Sequence, residues 1–156
     1  MSVPSSRMSG LNRALVALAA PALLLGSVNA SAQCTLETGN LTFDDYDVFS
    51  AQDTVGTGYI YVTCDLNVQY TIALTTGSSG TFTPRTLVMT GAPALRYNLT
   101  SSPSSGVAWD NVTNVYVGKG SGARQAIPVY GRIAAGQTGA MVGPYSDSLT
   151  VTLTTQ

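Results

Sequence analysis

Tyr59-Ile60-Tyr61-Val62-Thr63-Cys64 alternates strictly: Ile60, Val62 and Cys64 share one face, and Tyr59, Tyr61 and Thr63 the other. A period of two with β-branched and aromatic residues is the pattern of a half-buried strand. Asp65-Leu66-Asn67 turns the chain, and Tyr70, Ile72 and Leu74 repeat the alternation until Gly77-Ser78-Ser79-Gly80 ends it. Working outward, Leu41 and Phe43 flank Thr42 upstream. Downstream, short strands are expected at Thr86 to Met89, at Leu95, Tyr97 and Leu99 (with Arg96 and Asn98 facing away), and at Val115 and Val117. Ile127, Val129 and Gly131 alternate with Pro128, Tyr130 and Arg132, and Pro128 predicts an edge or a bulge there. Leu149, Val151 and Leu153 alternate with Ser148, Thr150, Thr152 and Thr154 close to Gln156. About seven short strands with turns between them predict an all-β sandwich with no helix of useful length. The mostly polar stretch from Glu37 to Gly58 is expected to cross from one sheet to the other.

The N-terminal residues predict an export signal. Arg7 and Arg13 precede an apolar run from Leu15 to Leu25, broken at Pro21, and Ala30-Ser31-Ala32 supplies small residues for cleavage after Ala32. The run falls short of the roughly 20 apolar residues that span a bilayer, and no later segment is apolar enough to cross one. Residues 1–32 are thus read as a signal peptide and residues 33–156 as one domain of 156 − 32 = 124 residues. Without Arg7 and Arg13, five basic residues stand against eight acidic ones, a net charge of −3. No basic patch marks a nucleic-acid partner.

Both cysteines, Cys34 and Cys64, lie after the predicted cut, and an even count in an exported chain predicts a disulfide. Closing a loop with a sequence separation of 30 stabilises by about 3.5 kcal/mol on the chain-entropy account. The absence of His and of a second Cys pair argues against zinc. It also removes the usual Ser-His and Cys-His nucleophile pairs, so no enzymatic activity and no cofactor is expected. Asp44, Asp45 and Asp47 lack the Gly and closing Glu of a calcium loop and read as a solvated acidic loop. Gly118-Lys119-Gly120 lacks the spacing of a phosphate loop and reads as a flexible hairpin turn. Asn40, Asn98 and Asn111 each open an Asn-x-Thr sequon, read here as strand and turn polarity. Trp109, Tyr59, Tyr61 and Tyr130 could form an adhesive patch, but packing against cross-strand neighbours is the favoured reading.

An ordered set of features runs along the whole mature chain: Cys34; Leu41, Phe43 and Tyr46; Gly58 and the strand ending at Cys64; Tyr70 to Leu74; Leu95-Arg96-Tyr97-Asn98-Leu99; Trp109; Val129-Tyr130-Gly131-Arg132-Ile133; and Tyr145-Ser146-Asp147-Ser148-Leu149-Thr150-Val151-Thr152-Leu153. In this set the chain resembles the spore coat protein U domain family, which includes subunits of archaic chaperone–usher pili. The resemblance implies an immunoglobulin-like sandwich lacking its last strand. A periplasmic chaperone and then a neighbouring subunit supply that strand in trans, by strand addition. It further implies an outer-membrane usher as a partner and export through the periplasm to a pilus or spore coat at the cell surface. On this expectation Leu149, Val151 and Leu153 line one side of an acceptor groove, and Leu41 and Phe43 the other. A donated strand seating four or five apolar side chains at roughly 1.5–3 kcal/mol each would contribute roughly 6–15 kcal/mol, comparable to the stability of a whole domain.

Pilus shaft subunits carry a donor segment ahead of the first Cys, whereas the predicted mature start here leaves only Gln33 before Cys34. A tip-like position, or the coat-protein branch with a different assembly, is therefore expected. A second departure is Asp44, where the family often has Gly after the Phe. The competing expectation is a self-sufficient secreted adhesin or carbohydrate-binding module with a complete sheet.

Overall fold

The computed structural model describes residues 33–156, so the expected signal peptide lies outside the described residues. Eight strands run in chain order: β1 (Cys34–Thr38), β2 (Thr54–Cys64), β3 (Gln69–Leu74), β4 (Arg85–Leu87), β5 (Leu95–Thr100), β6 (Tyr116–Lys119), β7 (Arg124–Ile133) and β8 (Val151–Thr155). One three-residue 3-10 turn, Gly77–Ser79, follows β3. No described helix is long and apolar enough to cross a membrane. The strands form two antiparallel sheets, one ordered β1-β2-β7-β5-β4 and the other β6-β3-β8, as an immunoglobulin-like sandwich requires.

The alternation read from the sequence decides which side chains meet between the sheets. Ile60, Val62 and Cys64 of β2, Tyr70, Ile72 and Leu74 of β3, Leu95, Tyr97 and Leu99 of β5, and Ile127, Val129 and Ile133 of β7 are all buried. Trp109 joins them, and its Nε1–H donates to the carbonyl of Ile72 at 2.8 Å. It is therefore a core residue and contributes nothing to a surface patch. Cys34 and Cys64 face each other in the β1–β2 register and are bonded.

One expectation is corrected, and one is met locally. The stretch from Glu37 to Gly58 does not cross between sheets, because its ends belong to β1 and β2, which are paired neighbours. The chain stays beside β2, with the Gly39 amide bonded to the carbonyl of Tyr59 at 3.2 Å and Phe43 bridging Gly56. The reason is steric. Leu41 and Phe43 turn inward over Gly56, Gly58 and Gly131, whose missing side chains leave room for them. A Cβ added at Gly131 would lie 2.5 Å from Cζ of Phe43 and 2.9 Å from Cδ2 of Leu41. Pro128, expected at an edge or bulge, sits within the ten-residue β7, whose neighbours are β2 and β5. It is tolerated because the β5 ladder ends at Thr100 opposite Tyr130, leaving only β2 beside Pro128.

Gly131→Val forces a branched side chain into the Phe43 ring. Overpacking of this kind costs about 1–3 kcal/mol, so its thermal unfolding midpoint should fall well below wild type. Gly139 has open space around it and a backbone that admits other residues, so Gly139→Ala should stay within about 0.5 kcal/mol of wild type. Thermal melts of both variants, followed by circular dichroism, check the pair.

Candidate functional site

The sandwich is not closed on one side. Among the described residues, β8 pairs with β3 alone, and β1 with β2 alone. Between the segment from Thr38 to Tyr46 and the start of β8 at Val151 opens a cavity of about 720 Å³. Its floor includes the core side chains Ile60, Leu74, Leu95, Leu99, Val129 and Ile133, and its rim is polar, from Asn40, Asp44, Asp45, Ser146 and Ser148. Protein interiors pack at the density of organic crystals, and a cavity of roughly 150 Å³ is already large. A gap several times that size, partly open to solvent beside a strand edge with no described neighbour, leaves core side chains uncovered.

Four of the five residues expected at the groove line this cavity: Leu41 and Phe43 from the segment beside β2, and Leu149 and Val151 from the approach to and start of β8. Leu153 is not among the lining residues. It stands opposite Ile72 in the β3–β8 ladder and packs on the core. The ladder also fixes which amides of β8 are free. The Thr75 amide donates to the Thr150 carbonyl, and the Gln156 amide to the Gln69 carbonyl. Antiparallel alternation then turns the amides of Thr152 and Thr154 toward β3, and those of Val151, Leu153 and Thr155 toward the open edge.

A polar cluster that sequence reasoning missed anchors the chain where it enters β8. Asp147 accepts from the Tyr97 hydroxyl at 2.7 Å, from the Ser78 amide at 2.8 Å and hydroxyl at 2.7 Å, and from the Ser148 amide at 2.9 Å. Beside it lies Arg85, fully buried, whose Nε donates to the Thr75 carbonyl at 3.1 Å and Nη2 to the Trp109 carbonyl at 2.6 Å. Burial pushes the Arg85 guanidinium below its ordinary range, and the nearby Tyr97, Asp147 and Asp110 oppose that shift. Burial, reinforced by the bond to Asp147 and its negative charge, pushes the Tyr97 hydroxyl far above its ordinary value. Asp147 was legible only as part of the Tyr-Ser-Asp-Ser-Leu pattern, and nothing local marked Arg85 as buried.

Below Trp109, Asp110 closes a loop by accepting from the amides of Val112, Thr113 and Asn114 at 2.8–2.9 Å. Desolvation works against its charge, but these amides and the Asn114 and Thr113 side chains outweigh it and hold the carboxyl well below its usual range. Asp44, Asp45 and Asp47 are exposed. Among the described residues, no group of three or more His, Cys, Asp or Glu side chains is placed to hold a metal.

The fold defines the class, an immunoglobulin-like sandwich of two antiparallel sheets. Residues 20–152 match the family model described as the Spore Coat Protein U domain, and the chain belongs to that family. It is also similar in fold to a solved structure: "Crystal structure of CsuC-CsuE chaperone-tip adhesion subunit pre-assembly complex from archaic chaperone-usher Csu pili of Acinetobacter baumannii". The TM-score is 0.59 at 18% identity, over 79% of this chain and 40% of the other, so this chain spans about two-fifths of that neighbour's length. No curated protein sequence matches.

Tyr97→Phe should lower stability at pH 7 by about 1.5–3 kcal/mol, the usual worth of a hydrogen bond to a charged partner. Because the folded-state value is raised, the phenol's contribution is complete below pH 10, the ordinary value, and is lost as pH rises above it. Urea unfolding from pH 9 to about 11.5 should therefore give the variant a shallower decline than wild type, by up to about 1.4 kcal/mol per pH unit.

Proposed function

We propose that this protein is an exported structural subunit of a chaperone–usher surface fibre or coat, and that its groove accepts a strand donated in trans. The observation that carries the reading is the cavity of about 720 Å³, floored by core side chains, between the segment from Thr38 to Tyr46 and the start of β8 at Val151. An incoming strand would bond the outward amides of β8 and seat alternate apolar side chains between Leu41 and Phe43 on one side and Leu149 and Val151 on the other. Seating four or five such side chains is worth roughly 6–15 kcal/mol, enough to make folding and assembly a single reaction. The partners this implies are a periplasmic chaperone, an outer-membrane usher and neighbouring subunits, with the product on the cell surface. Family membership and the fold it shares with a chaperone-bound pilus subunit support the reading, and no catalytic role is proposed.

A tip-like position rests on cleavage after Ala32. Mass determination of the mature N-terminus tests it. A start at Gln33 supports the placement, and a start that leaves a strand's length ahead of Cys34 overturns it.

The strand-acceptor reading is tested with a synthetic peptide of the fibre's donor segment added to the purified exported chain. The expected result is a rise in melting temperature of more than about 10 °C, since each kcal/mol moves the midpoint of a domain this size by a few degrees. Leu149→Arg, which sets a charge at the groove mouth, should abolish most of that rise. An unchanged melting temperature would favour a self-sufficient secreted adhesin instead.

A further inference from the structure

A second cavity, of about 730 Å³, lies on the opposite, solvent-facing side of the five-stranded sheet. Its floor is made by Arg96 and Asn98 of β5 and Arg132 of β7, and Asn98 and Arg132 stand directly opposite in the ladder. Their neighbours Leu95, Tyr97 and Ile133 point the other way, into the core. The second wall is the loop of residues 134–140.

That wall is preformed. β7 leaves the sheet after Ile133, the partner of Tyr97, so Arg96 has no strand partner on that side. The Gln137 side chain takes the place of one: its Oε1 accepts from the Arg96 amide at 2.7 Å and its Nε2 donates to the Arg96 carbonyl at 2.8 Å. Tyr46 pins the same loop, its hydroxyl donating to the Ala134 carbonyl at 3.0 Å and accepting from the Gln137 amide at 2.8 Å. A wall fixed by four hydrogen bonds loses little freedom when a ligand enters.

The charge distribution says what would enter. Among the described residues, four cations reach solvent, Arg85 being buried, and Arg96, Arg124 and Arg132 all lie on this one face of an otherwise acidic chain. Arg124 is paired with Glu37 and Arg132 with Asp53, whereas Arg96 has no carboxylate in reach among the described residues. Its side chain is exposed, and its structural bonds are all made by its main chain. Around it stand small apolar surfaces (Pro84, Pro93, Ala135) and the polar groups of Asn98 and Thr138. The Oδ1 of Asn98 has no hydrogen-bond partner. A free guanidinium for a carboxylate, hydroxyl and amide groups for ligand hydroxyls, and flat C–H-compatible walls suit an acidic sugar better than a peptide.

The same face continues along the sheet. Tyr130 lies next to Asn98 and Arg132, and beyond it Tyr59 and Tyr61 are stacked with centroids 6.2 Å apart. Tyr130, two residues along β7 from Arg132 on the same face, offers an aromatic surface for a further sugar ring. We infer that this pocket binds a carboxylated sugar residue, the acidic unit of an anionic polysaccharide, with Arg96 as its carboxylate partner. The inference is independent of strand acceptance in the groove.

The test is calorimetric titration of the purified exported chain with three probes: trigalacturonate, the neutral trigalactose of the same linkage, and triglutamate as an acidic peptide. Saturable binding of trigalacturonate with a Kd on the order of 0.1–1 mM is expected. The neutral sugar and the peptide should each bind at least about tenfold more weakly, and Arg96→Gln should weaken trigalacturonate at least about tenfold with an unchanged melting curve. Tyr130→Ala should weaken the trimer while leaving monomeric galacturonate unaffected. The inference fails if trigalacturonate shows no saturation up to about 10 mM. Equal or tighter binding of either control, or an Arg96→Gln variant that binds like wild type, would overturn it as well.

Discussion

An antiparallel strand with one neighbour satisfies only alternate amides and carbonyls; the others need a second strand or water. β8 is in that position, and what distinguishes it from an ordinary edge is the gap beside it, floored by core side chains. The amides of Val151, Leu153 and Thr155 face outward, and the side chains of Leu149 and Val151 look into a cavity walled by the core itself. Natural sheets usually blunt exposed edges with charges, prolines or bulges. β8 carries none of these: its sequence is Val-Thr-Leu-Thr-Thr. An edge kept this plain beside exposed core side chains is suited to pairing, which is the physical basis of the strand-acceptor proposal.

The rest of the structure holds that edge in place. Asp147 ties the entry of β8 to β5 through Tyr97 and to the 3-10 turn through Ser78. Arg85 spans Thr75 and Trp109 beneath it. On the opposite rim, the disulfide fixes β1 to β2, and the glycines of β2 and β7 let Leu41 and Phe43 lie against the sheet. Both lips of the groove are thus set by contacts within the described residues, which is how the cavity can persist without an added strand.

How much of this was legible depended on whether the signal was local. The alternation in Tyr59–Cys64, Tyr70–Leu74, Leu95–Leu99 and Ile127–Ile133 is carried by each strand's own side chains, and it placed the core correctly. The first half of β2 was not seen, because Gly56 and Gly58 have no side chains and their share of the core is filled by Leu41 and Phe43. β1 was missed as a strand for a related reason: an edge strand exposed along most of its length shows little apolar pattern. Pro128 marked a local edge inside a central strand, because β5 stops short of it and only β2 lies beside it. The Arg85–Asp147–Tyr97 cluster joins three segments far apart in sequence, so no window could display it. Leu41, Phe43, Leu149 and Val151 line one cavity, while Leu153 stands opposite Ile72 further along the ladder.

The central claim is that the outward edge of β8 is vacant in the free subunit and paired after assembly. Amide hydrogen exchange, resolved residue by residue by NMR, reads this directly. The account predicts that Thr152 and Thr154 are protected in both states, whereas Val151, Leu153 and Thr155 exchange rapidly in the free chain and become protected by orders of magnitude when a donor strand is bound. Equal and strong protection of all five amides in the free chain would mean that the edge is already filled, and would contradict it.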